Sequence, residues 1–128
     1  LSQVGDSRCY LLRNGDLHQL TTDHSWVEEA VAQGILTPEQ ARVHPNRNVI
    51  TRAIGIHPTV EVDTTTMPIL QGDLLLLCSD GLNSMIDDNE IKSILETNYI
   101  DQVCEALVER ANDRGGHDNT TIIVVVID

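Results

Sequence analysis

Aromatic side chains are nearly missing. The chain has two tyrosines, one tryptophan and no phenylalanine in 128 residues. Its core must therefore be aliphatic, and it offers no aromatic platform on which single-stranded nucleic acid would stack. Positive charge is scarce too: eight Lys and Arg stand against twenty Asp and Glu, a formal net charge of −12. That balance excludes a basic face for a polyanion such as nucleic acid. Only three cysteines are present, Cys9, Cys78 and Cys104, with no CxxC pair among them. They form no disulfide framework and read as free thiols of a reducing, cytoplasmic compartment. No apolar run approaches the roughly twenty residues of a membrane-spanning helix, and no signal peptide is visible. Also missing are zinc-ligand spacing, a nucleophile elbow, a glycine-rich nucleotide loop and any internal repeat.

What is present is aliphatic and punctuated. In Gly72–Leu82 four leucines and a cysteine run without a break into Ser79-Asp80-Gly81. Such a run predicts a core strand buried on both faces, with Asp80 at its mouth. A carboxylate there needs a partner, whether a backbone N–H, an arginine or a metal ion. Upstream, Asn14-Gly15 lies between two strand-like runs, Arg8–Leu12 and Leu17–Thr21. Asn-Gly is the strongest short hairpin signal, because both residues accept positive φ. Ser25 with Glu28, then Thr37-Pro38 with Gln40, mark the starts of two short helices within Ser25–Val43. The segment has few large apolar residues and is expected to be a mobile surface insertion, with His24 and His44 as surface histidines beside it. Asn48–Gly55 and Thr59–Thr65 have strand-like composition. Asp87-Asp88 caps a helix over Asn89–Thr97, and Val103, Leu107, Val108 and Ala111 form the stripe of another over Asp101–Asn112. The short connection makes these two helices antiparallel neighbours. Thr120–Ile127 is rich in β-branched residues and predicts a second core strand. The class is α+β with mostly antiparallel sheets.

Three aspartates share a setting. Asp6 follows Gly5, Asp80 ends the central run, and Asp118 follows Gly115-Gly116-His117. Each sits at a strand terminus, beside a residue that lets backbone approach closely. If the strand ends align, the carboxylates converge at one end of the sheets with Asp80 central. Oxygen-only ligands select hard cations such as Mg²⁺ or Mn²⁺, and two such ions serve phosphoryl chemistry. Taken singly, each aspartate is better read as part of an ordinary turn, and only the three together point to a metal site. Arg8 and Arg52 suit either a phosphate or surface acids, and His117 fits a solvated loop.

Five motifs occur in order: Gly5-Asp6-Ser7-Arg8 with Tyr10; Leu20-Thr21-Thr22-Asp23-His24-Ser25; Asn48 with Ile50-Thr51-Arg52-Ala53 and Gly55; Gly72-Asp73 through Ser79-Asp80-Gly81-Leu82; and Gly115-Gly116-His117-Asp118-Asn119 with Thr121. Across nearly its whole length the chain resembles the C-terminal part of the metal-dependent protein phosphatases, the protein phosphatase 2C-like family, in its compact bacterial form. The resemblance implies an αββα arrangement of two mostly antiparallel sheets flanked by helices. It implies hydrolysis of phosphoserine and phosphothreonine in proteins by metal-activated water. Asp80 and Asp118 fall on core metal-ligand positions and carry the catalysis. Asp6, with Asp80, falls on an additional metal site. The ions expected are Mn²⁺ or Mg²⁺, two in the core and a third beside them. Residues 25 to 48 match the flap used in substrate handling. The implied partners are a phosphorylated protein substrate and an opposing serine/threonine kinase. The chain starts without Met, and the family's N-terminal acids are not among these residues. The whole of 1–128 is therefore expected to be one part of a single catalytic domain, inactive and association-prone alone. The competing expectation is a non-catalytic phosphatase-like module that binds or regulates a partner. A third is a phosphatase domain of a bacterial stress-signalling regulator with one dedicated protein substrate.

Overall fold

The structure is a computed structural model describing all residues from 1 to 128. In chain order its elements are β1 (Ser2–Gln3), β2 (Arg8–Arg13), β3 (Asp16–Gln19), α1 (Trp26–Ala32), α2 (Pro38–Val43), β4 (Asp63–Thr64), β5 (Leu74–Cys78), α3 (Asp80–Asn83), α4 (Asp88–Thr97), α5 (Ile100–Asp113) and β6 (Ile122–Val126). Two compact units result. One holds Leu1–Ser7 and Thr22–Met67; the other holds Arg8–Thr21 and Pro68–Asp128. Each contains one antiparallel sheet, so the expected α+β class stands.

In the larger unit four strands run in the order β3-β2-β5-β6. The β2–β3 hairpin closes at Asn14 and Gly15, whose φ angles of 52° and 79° are the pair a two-residue primed turn needs. Register places Tyr10 opposite Leu76, and Leu76 opposite Val124. These side chains meet the apolar stripes of α4 and α5. Tyr10, Leu76, Leu82, Ile91, Val103 and Leu107 are all 1% exposed or less. Burying side chains of this kind contributes about 1.5–3 kcal/mol each. Glu90, early in α4, pairs with Arg110 at 2.8 Å and Arg114 at 2.7 Å, at the end of α5. The start of one helix therefore lies beside the end of the other, as antiparallel neighbours require. The Tyr10 hydroxyl accepts from Arg8 Nη1 at 2.9 Å and donates to Asp88 Oδ1 at 2.9 Å, tying β2 to the first turn of α4.

The central leucines differ from expectation. Leu76 and Cys78 are buried, but Leu74, Leu75 and Leu77 are half-buried. Helices cover one face of this sheet. On the face carrying Leu75 and Leu77, the neighbouring strand shows Ile123 and Val125 at 55% and 39% exposure. β5 is interior and β6 is an edge strand.

Asp73, at the foot of β5, is 1% exposed. It accepts from Arg13 Nε at 2.9 Å and Nη2 at 2.7 Å, and from the Leu70 N–H at 2.8 Å. The Arg13 bonds foremost, then the Leu70 amide, hold its carboxyl down at about 2. The folded state thus binds this proton less readily than the unfolded chain. The resulting stability is fully present above about pH 4 and is lost as pH falls through about 2. Urea midpoints measured from pH 5 to pH 2 are expected to fall steeply, and Asp73→Asn to flatten that slope at a lower overall stability. An unchanged slope in the variant would contradict this.

In the smaller unit β1 pairs with β4, Gln3 opposite Asp63. The two expected helices form. Ser25 Oγ accepts from the Glu28 N–H at 3.2 Å, and Thr37 and Gln40 complete a reciprocal box. Ala30 is the one buried apolar side chain of this unit, and Ile35 and Val43 are 65% and 77% exposed. The strand-like stretches fall short. Asn48–Gly55 makes only an isolated bridge, Ser25 to Ile50, and Thr59–Thr65 shortens to β4. Strand propensity needs a partner to pair with, and neither stretch has one along its length.

Candidate metal and active site

The strand β5 stops at Cys78, where the apolar run ends, two residues short of Asp80. Asp80 is consequently the first residue of α3 rather than the last of the strand, with Ser79 as the N-cap. Leu82, wholly buried, draws the chain into this turn. Ser84 fixes it from the other side: its N–H and its hydroxyl both donate to the Asp80 carbonyl, at 2.9 and 2.6 Å.

Ser79 joins this turn to the segment before β6. Its N–H donates to the Thr121 carbonyl at 3.0 Å, and its Oγ accepts from the Thr121 N–H at 3.0 Å. The Ser79 hydroxyl also donates to the Asn119 carbonyl at 3.3 Å. Gly81 is buried against the same backbone. A Cβ there would collide with the Asn119 carbonyl oxygen and stand 2.8 Å from its carbon. The segments bearing Asp80 and Asp118 are thus adjacent. Asp118 is exposed and accepts from the N–H of the next residue, Asn119, at 2.7 Å. One such bond leaves an ionised carboxylate most of its acceptor capacity.

Asp6 belongs to the smaller unit, half-buried between β1 and β2. It follows Gly5, whose φ of +108° is a conformation L side chains rarely adopt. Against expectation His24 is not on the surface: it is 5% exposed. Its Nδ1 accepts from the Gly5 N–H at 3.0 Å, so the ring proton sits on Nε2 and is donated to Asp63 Oδ2 at 2.7 Å. Asp63 Oδ1 accepts from Arg52 Nη1 at 2.9 Å. The His24 bond, then the Arg52 bond, lower the Asp63 pKa from its ordinary value. Arg52 is therefore engaged by acid rather than poised for phosphate. Sequence reasoning did not single out Asp63; its half-buried strand context was the only signal. His44 packs on Trp26, ring centroids 4.9 Å apart, and His117 is exposed.

Neither unit contains a group of three His, Cys, Asp or Glu side chains placed to share a metal ion. No helix is long and apolar enough to cross a membrane.

Residues 30–128 match the family described as Stage II sporulation protein E (SpoIIE). The chain belongs to this protein phosphatase 2C-like family. It is 43% identical over 126 residues to the serine/threonine phosphatase stp of Listeria welshimeri, covering 98% of this chain and 50% of that protein. The S. agalactiae serine/threonine phosphatase structure superposes with a TM-score of 0.92 at 41% identity, covering 99% of this chain and 53% of that one. The catalytic domain of PstP, solved in complex with two manganese ions, gives 0.83 at 34% identity, covering 99% and 53%. The chain spans about half the length of the curated relatives it matches. The two sheets with helices are those of the metal-dependent phosphatase fold.

The donor set on this chain suits hard divalent cations. Asp80 and Asp118 offer carboxylate oxygens on adjacent segments, and hard-cation sites are built from such oxygens. Two carboxylates fit as part of such a centre.

Proposed function

We propose that the protein carrying this chain is a Mg²⁺- or Mn²⁺-dependent phosphatase that hydrolyses phosphoserine and phosphothreonine in protein substrates. The observation that carries the reading is the bonding of the Ser79-Asp80-Gly81 turn to Asn119 and Thr121 in a chain of this family. Two acidic turns separated by some forty residues are held together through the Ser79 hydroxyl and backbone groups, which brings the segments bearing both aspartates side by side.

Asp80 and Asp118 are the residues assigned to hold the core ions, and Asp6 an additional one. Divalent ions bound there polarise a phosphoryl oxygen and lower the pKa of a water. The chain itself supplies position. Ser79 and Ser84 fix the backbone of Asp80, Gly81 admits the Asn119 backbone, and Asn119 orients the Asp118 carboxylate. Residues 25 to 48 form the flap, supported by their exposed surface and scant apolar anchoring. The opposing enzyme is a serine/threonine kinase. The three free thiols support a reducing, cytoplasmic setting.

The test is phosphate release from a phosphothreonine peptide by the whole protein. Turnover is expected to need Mn²⁺ or Mg²⁺, to vanish with chelator and to return on adding Mn²⁺. Turnover indifferent to chelation would overturn the metal assignment. Phosphopeptide binding without turnover at any cation concentration would establish the non-catalytic module instead.

A further inference from the structure

The acid assigned to the additional ion follows the most permissive residue type in the chain. Glycine at Gly5 has no intrinsic reason to hold one φ,ψ pair, so the direction in which Asp6 leaves it must be set from outside. The smaller unit does this chiefly with one residue. His24 Nδ1 takes the Gly5 N–H, and the His24 backbone N–H donates to the Gly5 carbonyl at 2.9 Å. Gln3 Nε2 adds a second bond to that carbonyl at 3.0 Å. Both ends of Gly5 are pinned. A Cβ on Gly5 would find only the Arg52 carbonyl, at 3.9 Å, so conformation and not space demands glycine here. The imidazole can accept at Nδ1 only while its proton is on Nε2, and Asp63, itself paired with Arg52, holds the proton there. A carboxylate orienting an imidazole that in turn orients a ligand is the logic of outer-shell partners in metal sites.

We infer that His24 is a positioning residue for Asp6, fixing through the Gly5 amide the approach of the Asp6 carboxylate to a divalent cation. This rests on Asp6 being a metal ligand, so the experiment separates the two claims. Mn²⁺ binding to the whole protein is titrated by calorimetry for wild type, Asp6→Asn, His24→Gln and His24→Asn. Exchange of the Gly5 amide is followed by NMR without metal. Asparagine places an oxygen near the Nδ1 position and keeps an acceptor for the Gly5 N–H. Glutamine places its amide near Nε2, facing Asp63, and leaves that N–H without a partner. His24→Gln is expected to weaken the Asp6-dependent Mn²⁺ binding by about 10-fold or more and to speed exchange at Gly5. His24→Asn is expected to stay within about 3-fold of wild type with Gly5 still protected. If Asp6→Asn leaves Mn²⁺ binding unchanged, the metal reading of Asp6 falls, and this inference with it. If Asp6→Asn weakens binding and His24→Gln does not, the inference alone falls. Should His24→Gln not fold, His24→Asn still decides: a loss as large as that of Asp6→Asn would mean the ring serves Asp63 and not Gly5, and would overturn it.

Discussion

Asp80→Asn, made in the whole protein, is expected to lower Mn²⁺-dependent hydrolysis of a phosphothreonine peptide by about 10³-fold or more. The substitution keeps the size of the side chain and removes its charge. Backbone contacts help hold the residue in place: the Asp80 carbonyl accepts from Ser84, and the N-cap is Ser79. Asparagine keeps these contacts, so the melting temperature is expected to stay within about 3 °C of wild type. A metal-assisted reaction draws several kcal/mol of barrier lowering from its cations, and each 1.36 kcal/mol is a factor of ten. Turnover and thermal unfolding on the same preparation check both halves. Near-normal turnover would remove Asp80 from the site.

Gly81→Ala should fail differently. Gly81 has no left-handed backbone, so alanine can adopt its conformation. Space forbids it. The added methyl would press on the Asn119 carbonyl and stand 2.9 Å from Thr120 Oγ1. Those atoms cannot swing aside cheaply, because Asn119 and Thr121 are bonded to Ser79. The turn bearing Asp80 and the segment bearing Asp118 must therefore move apart. Overpacking of this kind costs about 1–3 kcal/mol, and displacing catalytic groups by about an ångström costs on the order of 10²-fold in rate. Urea denaturation and turnover measured together should both fall. Loss of turnover with wild-type stability would show that the close approach is not what holds the two segments.

Much of the larger unit was legible from local pattern. Asn14-Gly15 specifies its hairpin because the turn's positive φ angles belong to those two residues and to no distant contact. The α4 and α5 stripes appear at Ile91, Ile94, Leu95, Val103, Leu107 and Ala111, all buried. The two strand-like stretches of the smaller unit misled for the opposite reason. Val60, Val62 and the Asn48–Gly55 run have strand propensity, and propensity becomes a strand only where another strand lies alongside. Burial of the central run was overread because composition does not say which sheet face the helices cover.

At the candidate site the aspartates could be picked out because each stands beside a residue that admits backbone. Their surroundings could not. His24 and Asp63 are 39 residues apart, Arg13 and Asp73 are 60 apart, and Ser79 and Asn119 are 40 apart. The sequence alone determined the turns, the caps, the helix stripes and the oxygen-only character of the acids, because each depends on residues within a turn or two of chain. The tertiary structure alone decided that His24 is buried and oriented, that Asp73 holds Arg13, that Asp80 opens a helix, and that its turn lies against Asn119. Those outcomes depend on which polar groups meet across long loops. A buried polar group is tolerated only when such a partner arrives, and the partner's identity is not encoded near it.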